Sequence, residues 1–266
     1  MPLAVCATPI GNLEDVTLRV LDELRAADVV LCEDTRHTRV LLDRHEISVR
    51  LLSYHEHNEA KRTAELLPRL EAGERVALVS DAGLPGISDP GARLVGAALA
   101  AGVPVTVLPG PSAVETALVA SGLAAERYQF VGFLPRGAGA LRALWDELAR
   151  WPYPVVAFES PRRLPATLRS LAEVDAERIV AVCRELTKKF EEVVRGPAAV
   201  VARRFAEAPK GEITLVLGPP SVRDDAHDAV ASVAELVAAG VPRRQAADVV
   251  ARLTGASRNE LYRRTL

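Results

Sequence analysis

The sequence predicts an α/β protein of two consecutive domains followed by a small C-terminal helical segment, and three observations carry that reading. Through the first half, short apolar runs alternate with stretches of helical spacing, the mark of βαβ units and a mainly parallel sheet. In the second half several apolar runs lie too close together for helical crossovers, which implies a mixed sheet. From Ser221 onward only helical spacing remains. The expected boundaries are 1–121, 122–220 and 221–266, with Ser121-Gly122 as the switch between the first two. A chain of 266 residues can give each part its own core.

In chain order, the first domain reads as strand Leu3–Ala7, helix Leu18–Ala26, strand Val29–Leu31, helix Thr38–Arg44, strand Leu51–Ser53 and helix Asn58–Ala72. Strand Val76–Val79, helix Ala92–Ala101 and strand Val105–Val107 follow. Ser112 with Glu115 forms a capping-box pattern that opens a helix through Ala120, and Asn58 reads as a helix cap. The second domain offers strands Gln129–Gly132, Val155–Phe158, Ile179–Cys183, Glu192–Arg195 and Ile213–Leu217. Its helices are Ala140–Arg150, Leu164–Leu171 and Ala198–Ala206. The tail holds helices Asp225–Ala239, Arg243–Leu253 and Ser257–Arg264, the last with a second capping-box pattern in Ser257 and Glu260. Residues 241–266 contain six Arg against Asp248 and Glu260, a local charge of +4. That tail resembles a helix-turn-helix, and a plain packing module fits the pattern equally.

The most informative segment is Val76–Gly91. An apolar strand runs into Ser-Asp-Ala-Gly-Leu-Pro-Gly-Ile-Ser-Asp-Pro-Gly and restarts as a helix, which lets backbone approach a small ligand. Pro85 and Pro90 stiffen this loop, and Gly83, Gly86 and Gly91 permit conformations or approaches that a Cβ would forbid. The segment matches neither Gly-x-Gly-x-x-Gly nor the Walker pattern, so a pyrophosphate is not its main handle.

Composition narrows the function classes. Apolar residues make up 49% and charged residues 26%, ordinary for a globular enzyme. A net charge of −2 gives no global pull toward nucleic acid, so any such contact needs a local basic face. Only four of the 33 basic residues are Lys, a bias that genome composition alone also produces. Cys6, Cys32 and Cys183 are widely spaced in apolar runs and read as reduced core residues. No run reaches membrane-spanning length and no signal-type segment precedes the first strand, so the expected location is the cytoplasm.

Polar clusters follow four predicted strands of the first half: Thr8–Asn12, Glu33–His37, the Asp81 loop and Pro109–Ala113. Four such clusters point to a shared ligand cleft. Phe158–Arg163 and Arg184–Lys189 hold similar positions in the second half. Glu33 and Asp34 beside Arg36 also fit a surface ion pair, and Arg184–Lys189 also fits a solvated face. His55-Glu56-His57 lacks a third ligand and reads as surface, so no metal is expected. No nucleophile constellation is supported.

Taken together and in order, these motifs resemble the bacterial ribosomal RNA small subunit methyltransferase I family. Thr-Pro-Ile-Gly-Asn at Thr8–Asn12, Glu-Asp-Thr-Arg at Glu33–Arg36 and His-x-His-Asn-Glu at His55–Glu59 carry the likeness. So do Ser80–Gly91, Pro109–Ala113, Gly-Phe-Leu-Pro at Gly132–Pro135, Arg184–Lys188 and Lys-Gly-Glu at Lys210–Glu212, with Asn259–Tyr262 in the tail.

The resemblance implies the tetrapyrrole-methylase fold, with S-adenosylmethionine in the cleft between two α/β domains. It implies 2′-O-methylation of a decoding-centre cytidine in 16S rRNA, acting on the rRNA or the 30S subunit, and a homodimer. Carried onto this chain, the cofactor loop is Asp81–Ile87, with Asp81, Gly83, Leu84, Pro85 and Ile87 as contacts. Pro9, Ser112 and Ala113 would line the same pocket, with Ile213 and Thr214 closing it from the second domain. Leu84 and Gly86 stand where Thr and Leu are common, and both keep the loop short and apolar.

For the hydroxyl proton the candidates are Asp34, Glu185 and Lys188, as base or electrostatic helper, with substrate positioning as the other role each could fill. A neutral Lys188 would need its pKa lowered by burial or by Arg184 and Lys189. For RNA phosphates the candidates are Arg36, Arg39, Arg136, Arg162, Arg163, Lys188 and Lys189. Two rivals stand beside this reading: a same-fold methylase acting on a tetrapyrrole or modified histidine, and a non-catalytic RNA-binding factor with a relic cleft.

Overall fold

The computed structural model describes residues 2–86, 89–221 and 225–265, with the side chains of 225–228 excluded. Among these the chain runs β1 (Leu3–Cys6), α1 (Leu18–Ala26), β2 (Val29–Cys32), α2 (Thr35–Arg44), β3 (Leu51–Ser53), α3 (Glu59–Glu71), β4 (Val76–Val79), α4 (Ala92–Ala100), β5 (Val105–Leu108) and α5 (Ala113–Ala120). It continues with β6 (Gln129–Phe133), α6 (Ala138–Leu148), β7 (Val155–Glu159), α7 (Leu164–Val174), β8 (Ile179–Arg184), β9 (Glu192–Pro197), α8 (Ala198–Arg204) and β10 (Ile213–Leu217). The tail is α9 (Asp225–Ala238), α10 (Arg243–Thr254) and α11 (Arg258–Arg264).

The first sheet has the order β3-β2-β4-β1-β5 and is parallel throughout. Its central strands β1, β2 and β4 are apolar and buried at every position, as expected of a parallel sheet covered on both faces. Period-two alternation divides them between two cores. Leu3, Val5, Val29, Leu31, Val76 and Leu78 pack with Leu66 and Leu70 of α3 and Leu94 and Ala98 of α4. Ala4, Cys6, Val30, Cys32, Ala77 and Val79 pack against Leu21 and Leu24 of α1 and Leu42 of α2.

The second sheet has the order β6-β7-β10-β8-β9, with β6 parallel to β7 and the other pairs antiparallel. One face packs on α6, α7 and α8 around Trp145, Leu148, Leu168 and Phe205. The other face is covered by the first half of the chain. Ile10 with Val114, Ala117 and Leu118 of α5 packs on Val156, Ala181, Cys183, Leu186 and Val216. This apolar seam joins the two sheets and sets the cleft beside it. The tail has a separate small core of Val233, Ala246, Ala247, Val250 and Leu261.

Several expected details are corrected. α2 starts at Thr35 rather than Thr38, because Asp34 caps it by accepting from Arg36 N. Neither capping box forms. The Ser112 hydroxyl donates to the Glu115 carboxylate, which also accepts from Tyr128 at 2.7 Å, and Glu260 faces Arg264. Asn58 does not cap α3; its side chain accepts from His55 N and donates to Ser53 O, folding the turn before the helix. The three cysteines are free and buried, and burial pushes the thiols of Cys6 and Cys183 up to about 12. Among the described residues no helix is long and apolar enough to cross a membrane.

Candidate active site

The loops at the C-terminal ends of β1, β4 and β5 meet in a small backbone knot. Thr8 N donates to Gly83 O at 2.9 Å and Gly83 N donates back to Thr8 O at 3.1 Å. Thr8 Oγ1 donates to Ser80 O at 3.0 Å, and Ser80 Oγ donates to Gly83 O at 3.0 Å. Gly83 sits at φ +78°, where a side chain is strained. Gly110, just after β5, has Ala7 so near that a Cβ would stand 2.9 Å from the Ala7 Cβ. The knot thus presents main chain, with little side chain, to the space above the sheet.

That space is a cavity of about 560 Å³ between the two sheets, within the usual range of small-molecule sites. From the first half it is lined by Ile10, Asp81–Leu84, Asp89 and Ser112–Val114. From the second half come Phe133, Phe158–Pro161, Cys183, Leu186 and Gly211–Thr214. Seven of the expected cofactor residues therefore stand on its wall: Asp81, Gly83, Leu84, Ser112, Ala113, Ile213 and Thr214. Pro9 and Pro85 are buried and do not line it, and Ile87 lies outside the described residues.

The charges on the wall are one-sided. Asp81, Asp89, Glu159 and Glu212 contribute carboxylates, and no Lys or Arg is among the described lining residues. Burial, then Glu33 and Asp81, push the Asp89 carboxyl up to about 6. Glu33 is also raised, by burial and by Asp81. Asp89 was missed as a site residue in the sequence, although an acid followed by Pro-Gly inside a ligand loop was the available signal.

Glu159 is answered from outside the cavity. Its carboxylate accepts from Thr167 Oγ1 at 2.5 Å and Ser160 N at 2.7 Å, and Arg163 Nη2 lies 3.2 Å away. The same Nη2 donates to Leu134 O at 3.0 Å and Pro135 O at 2.5 Å. Arg163 thus braces the loop after β6, in place of the free phosphate contact expected of it. Arg36, Arg39, Arg136, Arg162 and Lys189 are exposed.

Glu185, Lys188 and Glu212 form one cluster at the cavity edge. Lys188 Nζ lies 3.0 Å from Glu185 Oε1 and 2.9 Å from Glu212 Oε2. Glu185 Oε1 also accepts from Glu212 N at 2.9 Å, and this bond with Lys188 holds the Glu185 carboxyl below its ordinary value. Burial alone would lower Lys188, yet its bonds to Glu212 and Glu185 outweigh it and raise the ammonium pKa. The neutral lysine considered from the sequence is therefore replaced by a protonated one. Asp34 lies off the cavity wall, bridged by Arg36 Nε at 3.1 Å and Nη2 at 2.8 Å, and those bonds hold its carboxyl down at about 2.

The loop carrying Glu185 and Lys188 is backbone-strained, with Glu185 at φ +52° and Thr187 at φ +65°. It is held against the first half, where Asn12 N donates to Thr187 Oγ1 at 3.0 Å.

A cleft of this kind between a parallel and a mixed sheet places the chain among the methylases of the tetrapyrrole class, and the comparisons agree. The family profile "Tetrapyrrole (Corrin/Porphyrin) Methylases" matches residues 2–202, and the "RsmI C-terminal HTH domain" profile matches residues 224–266. The chain belongs to the ribosomal RNA small subunit methyltransferase I family of these methylases. The Mesorhizobium japonicum relative of that name is 46% identical over 99% of this chain and 91% of its own length. A Thermotoga maritima relative of the same name is 46% identical over 81% of this chain and 97% of its own length. Among solved structures, the methyltransferase CobJ has a TM-score of 0.63 at 20% identity, covering 82% of this chain and 93% of its own. Uroporphyrin-III C-methyl transferase from Thermus thermophilus, complexed with S-adenyl homocysteine, has a TM-score of 0.57 at 23% identity, covering 81% and 96%.

Proposed function

We propose that this chain transfers a methyl group from S-adenosylmethionine to the 2′-hydroxyl of a decoding-centre cytidine in 16S rRNA. The observation that carries the chemistry is the wall of the cavity, which offers carboxylates and main chain but, among the described residues, no basic side chain. Such a site favours a cationic, zwitterionic ligand over a polyphosphate. The residues that would hold the cofactor are Asp81, Gly83, Leu84, Ser112 and Ala113, with Ile213 and Thr214 opposite and Pro9, Pro85 and Ile87 in support. When bound, S-adenosylmethionine supplies an electrophilic methyl group on a sulfonium that leaves without protonation. The names of the relatives support rRNA as the acceptor.

Positioning carries much of the acceleration in an in-line displacement, up to roughly 7–11 kcal/mol in favourable cases. The seam and the Glu185–Lys188–Glu212 cluster supply that positioning, with Lys188 as a fixed cation at the cavity edge. Asp89 stands on the wall with its carboxyl raised by burial and by Glu33 and Asp81, and it takes the hydroxyl proton in this reading. Asp34 instead sets the start of α2 by accepting from Arg36 N. Exposed Arg36, Arg39, Arg136, Arg162 and Lys189 form the basic contacts for RNA phosphates.

The same reading takes the acceptor as rRNA within the 30S subunit, in the cytoplasm, and the enzyme as a homodimer of three-part chains divided near residues 121 and 220. Edge strand β5 supports the dimer, because Val107 is half exposed there with Leu99 and Val119 exposed on α4 and α5. The deciding experiment is transfer of labelled methyl from S-adenosylmethionine to unmethylated 30S subunits and to naked 16S rRNA, followed by mapping of the product. Label on one cytidine ribose is expected. Cofactor binding with no transfer to either RNA would instead indicate a small-molecule methylase.

A further inference from the structure

The Gly-Phe-Leu-Pro run at 132–135 contains a backbone irregularity that the site described above does not use. Strand β6 pairs Phe130 with Val156 and then Phe133 with Phe158, so three residues advance on β6 against two on β7. Gly132 sits in this bulge at φ +68°, a conformation that favours glycine. On a regular strand Phe133 would share the face of Val131, which packs in the core with α6 and α7. The bulge hands that face to Leu134, which is 2% exposed in the same core. Phe133 is turned instead to the cleft, with Phe130 and Phe158. Bulges beside active sites commonly re-aim one side chain in this way.

The re-aimed ring lines the cavity yet is 64% exposed, which puts it at the mouth. It is braced from behind, 5.4 Å from the Phe158 ring, which is itself 5.0 Å from Phe130. The next residues are fixed by Arg163 on the Leu134 and Pro135 carbonyls, and exposed Arg136 follows. An aromatic face held in place and open to solvent at a cavity mouth is the equipment with which proteins hold an unstacked nucleobase.

We propose that Phe133 is a stacking platform for an unstacked base of the RNA substrate at the cavity mouth, aimed by the Gly132 bulge. The proposal rests on the rRNA reading above. The cofactor's adenine is the competing occupant, but the main-chain cradle lies across the cleft in the first half, whereas Phe133 stands on the open side of the second.

The test compares Phe133→Leu and Phe133→Trp with the wild-type protein. Affinity for S-adenosylmethionine is read by calorimetry, and Kd and KM are read for unmethylated 30S subunits. Phe133→Leu is expected to raise the RNA Kd and KM about 5- to 150-fold, the range for loss of one base–aromatic stack. Cofactor affinity should be unchanged, and Phe133→Trp should restore RNA binding. Wild-type RNA affinity in Phe133→Leu would overturn the proposal. So would a matching loss of cofactor affinity, or a failure of Trp to restore binding. A wild-type protein that binds cofactor but neither binds nor methylates RNA would refute the functional reading itself, independently of Phe133.

Discussion

A β-carbon on Gly11 would stand 2.5 Å from Cγ of Lys188, with Thr187 Oγ1 at 2.8 Å and the Leu186 carbonyl at 3.0 Å. The loop after β1 and the strained loop after β8 are therefore in direct contact, and the absence of a side chain at Gly11 permits it. Gly11→Ala should push the Lys188 loop outward, destabilise the protein by about 1–3 kcal/mol as overpacking does, and lower methyl transfer. Urea unfolding of the two proteins checks the first part. Unchanged stability would mean that the loop yields freely.

Lys188→Met removes the cation that bonds both Glu185 and Glu212. Methyl transfer should fall with cofactor affinity less affected, and Lys188→Arg should restore part of it. The pH signature belongs to Glu185, whose folded pKa is lowered. Its stabilising contribution is present above the ordinary carboxylate range and disappears as pH falls through the folded value. The difference in melting temperature between wild type and Glu185→Gln should therefore be positive at neutral pH and shrink below about pH 4.

Asp89→Asn should lower kcat by roughly 10²–10⁴-fold, the usual contribution of a general base. The wild-type rate should rise through pH about 6, and the variant should lack that limb. The stability sign is opposite to that of Glu185, because the folded pKa of Asp89 is raised. Its contribution is present below the ordinary value of 3.8 and is lost as pH rises through about 6. Between those values the variant should gain stability relative to wild type, read from paired melting curves.

Arg162→Ala and Arg136→Ala should each weaken RNA binding broadly and reduce its log–log salt slope by about one. Arg163→Ala should leave that slope unchanged, since its guanidinium serves Glu159 and the Leu134 and Pro135 carbonyls. A reduced slope for Arg163→Ala would put it back among the phosphate contacts.

A chain ending at Ser221 should retain cofactor binding and lose RNA affinity. The tail has its own core, and the Thermotoga maritima relative of the same name spans 81% of this chain with 97% of its own length. The measurements are calorimetry with S-adenosylmethionine and filter binding of 30S subunits. Equal RNA affinity with and without the tail would leave it a packing module.

The strands, their alternation with helices and the loop after β4 that lines the cavity were legible because each rests on local pattern. Val29-Val30-Leu31 and Val76–Val79 are apolar at every position, which only a sheet covered on both faces explains. Side-chain roles were less legible, because they depend on partners distant in sequence. The Lys188 ammonium is held by Glu212, 24 residues away, and Arg163 faces carbonyls at 134 and 135. Asp89 is perturbed by its burial and then by Glu33, which only the folded sheet brings near it. The capping box at Ser112 failed for a similar reason, since Tyr128 competes for Glu115.

The seam of Ile10, Val114 and Leu118 against Val156, Ala181 and Val216 also governs how the cleft can open. Swinging the two sheets apart would carry this apolar surface into water, so hinge motion is the expensive route. Ligand exchange is therefore left to the rim of the cavity, one side of which is itself pinned by Arg163 on the Leu134 and Pro135 carbonyls. The two sheets with the seam between them thus act as one fixed floor under that rim.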